Sequence, residues 1–265
     1  MRKGLIMFSI NDFSMDFFRL DGKVAIVTGG NTGLGQGYAL ALAKAGADLF
    51  IVTHNDRFDE TRDLIEKEGR KVEFFQTDLS IRENINAVVD KCLEVYGKID
   101  ILVNNAGTIK RSPLLDYKDE DWKAVLDINL NAVYYLSHEV AKVMAKQGSG
   151  KIINIASMLS FQGGKFVPAY TASKHGVVGI TRAFANELAD KNIQVNAIAP
   201  GYIETNNTAP IRADESRNAE ILSRIPAGRW GHPSDVMGAL VFLASKASDY
   251  VNGHVLAVDG GWLVR

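Results

Sequence analysis

Cysteine is almost missing: Cys92 stands alone among 265 residues. A disulfide framework within one chain is therefore excluded, which suits a reducing, cytoplasmic setting. Cys92 falls on the apolar-periodic segment 85–96 and reads as a small core residue. An excess of charge of either sign is also missing. Thirty Lys and Arg face 31 Asp and Glu, a formal net charge of −1, so nothing in the balance argues for nucleic acid or an anionic membrane surface as a partner. His54, His138, His175, His232 and His254 show no HxxxH spacing and no clustering with the cysteine, so no metal site is assigned. Long hydrophobic runs are absent too. The apolar stretch Leu5–Phe8 turns polar at Ser9, Asn11 and Asp12, too soon for a signal-peptide core or a membrane span. Neither an internal repeat nor a low-complexity linker breaks the chain. What remains is 46% hydrophobic, enough to bury the core of one α/β domain of this size.

Strand and helix patterns alternate along the chain. Strands are predicted near 24–28, 48–53, 72–77, 100–104, 151–156, 194–199 and 254–258, and helices near 33–45, 57–68, 81–96, 119–146, 169–189 and 233–243. This alternation predicts a single-domain, doubly wound parallel sheet of about seven strands with helices on both faces. The domain is expected over 20–265, after an N-terminal extension over 1–19. Phe13, Met15, Phe17 and Phe18 of that extension are expected to pack on the domain or on a neighbouring subunit. The stretch 202–231 does not fit the alternation.

Several short motifs carry chemistry. The strand Val24–Val27 runs into Thr28-Gly29-Gly30-Asn31-Thr32-Gly33-Leu34-Gly35 and then a helix. In that context glycines let backbone approach a pyrophosphate, and the helix start supplies N–H donors and positive dipole. The Gly-Lys-Ser/Thr of a P-loop is missing, which disfavours a nucleotide triphosphatase. Asp78-Leu79 and Asn104-Asn105-Ala106-Gly107 each follow a strand's carboxyl end, where open parallel sheets bind ligands. Asp78 is suited to accept from an adenine amino group or to cap a helix, and Asn105–Gly107 to pack backbone on a ribose or to make a turn. Tyr170 and Lys174 share a helix face at i and i+4, so the ammonium is expected beside the phenol, lowering its pKa toward working pH. Ser157, at the end of a buried strand, is placed to donate to a substrate oxygen.

Taken in order and spacing, Thr28-Gly29-xxx-Gly33-x-Gly35, Asn104-Asn105-Ala106-Gly107, Ser157, Tyr170-xxx-Lys174 and Pro200-Gly201 resemble the short-chain dehydrogenase/reductase family, over roughly 20–265. The resemblance implies a Rossmann-type fold and hydride transfer between a nicotinamide cofactor and an alcohol/ketone pair. It implies Tyr170 as acid/base, Lys174 as ribose ligand, Ser157 as orienter of the substrate oxygen, and Asn129 as holder of a proton-relay water, ahead of its neighbour Asn131. The cofactor-binding set would be Gly29, Asn31, Thr32, Gly33, Leu34, Gly35, Thr53, Asp78, Leu79, Asn105, Ala106, Gly107, Tyr170, Lys174, Pro200, Gly201, Ile203 and Thr205. The family's equivalent of 202–231 covers the substrate, so a mobile lid is expected there.

Cofactor choice turns on the end of the second strand. A carboxylate there selects NAD and a nearby Arg suits NADP. Thr53 holds the position, with Asp56 and Arg57 close by. NAD is expected first, with NADP a close alternative. Within the family, 31–37, 160–164, 199–208, 225–231 and 259–265 resemble the branch acting at C5 of sugar acids such as 2-dehydro-3-deoxy-D-gluconate and gluconate. A sugar acid needs a cation for its carboxylate, and Arg111, Gln162 and Arg212 are candidates beside Ser157; Lys110 is another. A reductase of 3-oxoacyl carrier-protein thioesters is an alternative. A steroid reductase is disfavoured by the polar stretch 205–208 and Arg212. A non-catalytic dinucleotide-binding regulator is disfavoured by the complete set Asn129, Ser157, Tyr170 and Lys174. The family also implies a homotetramer, joined through the apolar faces of 119–146 and 169–189 and the chain's C-terminal end.

Overall fold

Seven strands form one parallel sheet in the computed structural model, which describes residues 10–265. They are β1 (Val24–Thr28), β2 (Asp48–Thr53), β3 (Val72–Gln76), β4 (Ile101–Asn104), β5 (Gly150–Ile155), β6 (Ile193–Pro200) and β7 (Val255–Val258). The order across the sheet is β3-β2-β1-β4-β5-β6-β7, and every neighbouring pair is parallel. Because the order reverses between β1 and β4, the loops beyond their carboxyl ends leave to opposite faces and open a crevice between them. Every residue of β1, β4, β5 and β6 is buried. That is why these strands read as unbroken β-branched runs, not as an alternating pattern. The edge strands β3 and β7 are partly exposed.

The helices are α1 (Gly33–Ala45), α2 (Asp59–Lys67), α3 (Arg82–Tyr96), α4 (Asp119–Leu126), α5 (Ala132–Gln147), α6 (Pro168–Leu188), α7 (Ala209–Ala213), α8 (Glu215–Arg224) and α9 (Pro233–Ala244). On one face of the sheet, Tyr38 and Leu42 of α1, Ile65 of α2 and Leu240 of α9 pack on Val27, Ile51 and Val103. On the other, Ile85 and Cys92 of α3, Leu136 and Val140 of α5 and Ala185 of α6 pack on Ile26, Phe50 and Leu102. The doubly wound expectation holds, and Cys92 is the core residue it was expected to be. A buried polar chain ties the second layer down near the strands' carboxyl ends. Asn104 Nδ2 donates to Ser137 Oγ and to Asn154 Oδ1, both at 2.8 Å, and Asn154 Nδ2 donates to Thr181 Oγ1 at 2.9 Å. With each member paired, such a chain fixes β4, β5, α5 and α6 in one register.

Two elements differ from the sequence-based expectation. The single helix expected over 119–146 is split: α4 ends at Leu126, a π turn occupies Asp127–Asn131, and α5 starts at Ala132. Helical periodicity alone does not register one extra residue per turn. The irregular stretch 202–231 contains α7 and α8, seated on a cluster of Met158, Ile221, Ile225, Trp230 and Trp262. The Tyr202 ring lies between Trp230 and Trp262, at centroid distances of 5.2 and 4.8 Å. The Arg224 guanidinium covers Trp262 at 4.1 Å, and Trp230 Nε1 donates to Asn218 Oδ1 at 2.7 Å. In the N-terminal extension, Phe18 packs near Phe242 of α9 and Lys246 covers Phe17, while Phe13 and Met15 stay exposed. The short apolar stretch Leu5–Phe8 lies outside the described residues. Among the described residues, no helix is long and apolar enough to cross a membrane, and no cluster of metal-ligating side chains occurs.

Candidate active site

The glycine turn after β1 is built around Thr28, a residue the sequence motif contains but its chemistry does not advertise. Its buried hydroxyl accepts from the backbone N–H groups of Asn105 and Ala106, at 3.0 and 2.9 Å, and so clamps β1 to the turn after β4. Asn105 Nδ2 donates back to the Thr28 and Gly29 carbonyls, at 2.9 and 3.2 Å. The two turns are this close only because side chains are missing. A Cβ on Gly35 would lie 2.0 Å from the Gly29 carbonyl oxygen, and Gly29 itself has φ +64. The start of α1 is left bare beside these turns, which is the cradle a pyrophosphate needs.

The cleft above this cradle measures about 350 Å³. Its wall contains Gly29, Thr32–Gly35, Asn105–Gly107, Ser157, Tyr170, Lys174, Pro200, Gly201, Ile203 and Thr205. The glycine turn, the Asn-Asn-Ala-Gly turn, the Ser–Tyr–Lys set and the Pro-Gly loop, scattered over 177 positions of sequence from Gly29 to Thr205, therefore meet on one surface. Ser157 lies two residues beyond β5, and its backbone N–H donates to Ser160 Oγ, which donates in turn to the Lys174 carbonyl at 2.7 Å. That pins the serine turn to the helix carrying Tyr170 and Lys174. Asn129 sits in the π turn, wholly buried. It donates to the Thr108 carbonyl at 2.9 Å and to Ser173 Oγ at 3.3 Å, and accepts from the Thr108 N–H at 2.8 Å. The wider turn aims its amide at the loop after β4, a use of π turns common at functional sites.

The expected electrostatics of the Tyr170–Lys174 pair need correction. Lys174 Nζ donates to the Ile155 carbonyl at 2.6 Å and lies 5.6 Å from the Tyr170 ring centroid. Burial lowers its pKa to about 8. Burial also raises the Tyr170 phenol above its ordinary value, and the opposing pulls come from the Ser157 hydroxyl and the Arg111 cation, not from Lys174. Sequence spacing put the right cation on the right face, but the nearby strand end claims its proton.

Other predicted site residues are placed off this cleft wall. Thr53 is buried with its hydroxyl bonded to the Asn55 carbonyl at 2.6 Å, so its side chain is already committed inward. Asn31, also buried, donates to Asn55 Oδ1 at 2.8 Å and to the Arg57 carbonyl at 3.1 Å, bracing the turn after β2. Asp78 is engaged by the Ser80 N–H and hydroxyl, at 2.8 and 2.7 Å, which hold its carboxyl below the usual range. It makes a local turn, not a cap on α3, and Leu79 beside it is buried. Of the substrate candidates, Arg111 lines the cleft and Gln162 and Arg212 do not. Arg212 turns toward Glu204 at 3.8 Å and donates to the Thr205 carbonyl at 3.4 Å. Lys110 faces Asp121 at 3.9 Å. Thr108, Ile109, Ile155, Ala156, Asn206 and Thr208 complete the wall. Each adjoins a motif, and only their neighbourhood could have drawn attention to them.

A family profile described as "Enoyl-(Acyl carrier protein) reductase" matches residues 29–263. The chain is 58% identical over 252 residues to the 2-dehydro-3-deoxy-D-gluconate 5-dehydrogenase of Bacillus subtilis (strain 168), covering 94% of this chain and 98% of that one. Among solved structures, it is similar to an Agrobacterium tumefaciens protein crystallised with bound NADP (51% identity, TM-score 0.88, 94% and 99% of the two chains). It is also similar to a gluconate 5-dehydrogenase from Burkholderia cenocepacia J2315 in complex with NADP and tartrate (38% identity, TM-score 0.89, 94% and 98%).

Proposed function

The chain belongs to the short-chain dehydrogenase/reductase family, and from that premise we propose that it interconverts the C5 alcohol and ketone of a sugar acid, 2-dehydro-3-deoxy-D-gluconate, with a nicotinamide dinucleotide. The observation that carries the reading is the meeting of Ser157, Tyr170 and Lys174 with Arg111 on one cleft that opens from the glycine turn. The relative at 58% identity bears that substrate's name.

The side-chain-free approach of Gly29, Gly35 and Ala106 fits a pyrophosphate, and Asn105–Gly107, Lys174 and the Pro200–Thr205 loop are placed to hold ribose and nicotinamide. When bound, the dinucleotide supplies hydride exchange. The protein's own part is proton handling and orientation. The Ser157 hydroxyl donates to the oxygen at C5. The Tyr170 phenol exchanges the proton of that oxygen, giving it in reduction and taking it in oxidation. Lys174 and the buried Asn129–Ser173–Tyr170 backbone link keep the phenol in place, and Asn129 is the residue assigned to a relay water. Arg111 supports the acid character of the substrate: it stands in the wall without an ion-pair partner among the described residues and suits a carboxylate. Gln162 and Arg212 remain as lid-side candidates that would have to swing inward.

NAD and NADP both fit the turn after β2. Thr53 presents no carboxylate against a 2′-phosphate, and Arg57 adds a cation beside Asn55. Gluconate is the second substrate reading, supported by the tartrate-bound relative. An acyl-carrier-protein substrate is less well served by a wall of Arg111, Asn206 and Thr208. The 202–231 segment is taken as a lid. A homotetramer is supported by the unpaired outer side of β7 and by exposed Tyr134 on α5. The buried lone cysteine supports a cytoplasmic setting. The deciding experiment follows absorbance of reduced nicotinamide with 2-dehydro-3-deoxy-D-gluconate, gluconate and 5-ketogluconate, each with NAD(H) and NADP(H). Strong turnover of the first supports the assignment. Turnover of none, with dinucleotide still bound, leaves the chemistry and removes the sugar acid.

A further inference from the structure

Among the described residues, only Phe166 and Asn192 combine a side chain with positive φ. Asparagine visits the left-handed region readily, whereas for a bulky residue it is strained. Phe166 has φ +68, and the residue is 52% exposed, so burial does not hold this backbone in place. What the conformation achieves is a backbone bond: the Phe166 carbonyl accepts from the Ser112 N–H at 3.0 Å. Ser112 follows Arg111. Two residues after Phe166, Pro168 starts α6, and Tyr170 lies in its first turn. The loop that bears Arg111 is thus tied on either side of it, at Thr108 by Asn129 and at Ser112 by Phe166, with a longer bond from the Tyr117 hydroxyl to the Lys110 carbonyl at 3.4 Å. Between the ties, Ile109 and Arg111 face the cleft together with Ser157 and Tyr170.

We propose that Phe166 is a positioning residue: its left-handed backbone, through the bond to Ser112, fixes Arg111 relative to Tyr170, so that the group taking the substrate's carboxylate and the group moving its proton are held as one unit. Strain kept at such a site is a reason to look for function. The inference rests on the reading of Arg111 as carboxylate ligand. It carries an electrostatic consequence. The groups facing the phenol are Ser157 just beyond β5, Lys174 on its own helix and Arg111 from the loop, and Arg111 draws the phenol down. Displacing the loop weakens that pull, so the phenol should titrate higher. Binding a carboxylate to Arg111 neutralises the same pull, so the acidic limb of the oxidation profile, where the phenolate is protonated, should lie at higher pH in kcat than in kcat/KM.

The test is a series at one position, ordered by tolerance of positive φ: F166G, F166N and F166I, with F166A in place of F166I should the latter fail to fold. R111Q is run beside it. KM and kcat for 2-dehydro-3-deoxy-D-gluconate are measured across pH, and dinucleotide affinity by titration calorimetry. The expected result is that F166G and F166N keep the wild-type KM and pH profile. F166I should raise KM on the order of tenfold and shift the profile upward, with dinucleotide affinity unchanged in all. Equal damage in all three would mean that the ring matters and not the backbone, and would overturn the inference, as would no damage in any. If R111Q itself leaves KM unchanged, the carboxylate reading fails first. If R111Q raises KM while the Phe166 series does not sort by backbone, only the inference fails.

Discussion

Tyr170 is the residue whose loss should be most selective. Its hydroxyl is the proton-bearing atom in the cleft, while the dinucleotide cradle is made by backbone elsewhere. Tyr170→Phe should therefore lower turnover by about 10²- to 10⁴-fold and leave dinucleotide affinity as it was; both are read from steady-state kinetics and calorimetry. Lys174 is a case of function set against stability. Burial holds it near 8 in the folded protein, below its ordinary 10.5, so the unfolded chain binds that proton more tightly. The penalty is complete below about pH 8 and fades as pH rises toward 10.5, where both states are neutral. Lys174→Met should thus be more stable than the wild-type apoenzyme at pH 7, by about 2 kcal/mol, with the gap closing above pH 8. Calorimetric melting at several pH values checks this, and the lost bond to the Ile155 carbonyl works against it. Both residues were legible in the sequence as a YxxxK pair. Their protonation was not, because spacing does not reveal which carbonyl or which loop cation lies closest.

At the level of elements, the π turn is the feature on which the site depends most. It places a fully buried amide between the β4 loop and α6, paired at every contact. Asn129→Leu would take their partner from the half-buried Thr108 N–H and carbonyl beside the cleft, at about 1 kcal/mol each. A lower midpoint in urea, with turnover falling further than that loss of stability explains, is the expected outcome. The strands and most helices were readable, since buried parallel strands announce themselves as short β-branched runs and amphipathic helices by their period. The break between α4 and α5 was not, because Leu126 and Ala132 continue an apolar pattern through it. Thr53 shows another limit. Its place at the end of β2 was read correctly, but the direction of its hydroxyl depends on the Asn31–Asn55 brace, which joins residues 24 positions apart.

Across the molecule, the cleft is a product of topology. The strand-order reversal between β1 and β4 opens it, and Ile203, Thr205, Asn206 and Thr208 at the start of the long segment after β6 line it. Of the sequence-named site residues, those on the turns after β1, β4, β5 and β6 were brought together, Asn31 excepted, whereas Thr53, Asp78 and Leu79, at the ends of β2 and β3, lie off the cleft wall. Of those proposed from a charged or polar side chain, Arg111 reaches the cleft and Gln162 and Arg212 do not; Arg212 instead finds Glu204 and the Thr205 carbonyl, partners that sequence order does not foretell. The proposed homotetramer predicts a solution mass of four chains by light scattering on a sizing column, and a stable monomer would contradict it. The aromatic cluster under α8 has a practical consequence. The chain has three tryptophans, and two of them, Trp230 and Trp262, flank Tyr202 at the base of that segment, while Trp122 stands apart on α4, partly exposed. Movement of the proposed lid would alter the surroundings of two indoles at once. Intrinsic emission should shift when a sugar acid joins the oxidised dinucleotide complex, and should shift less when Trp230 is replaced by Phe, with Trp262 left as the one reporter. The protein thus carries its own optical clock, and stopped-flow mixing of unlabelled enzyme would time closure separately from chemistry.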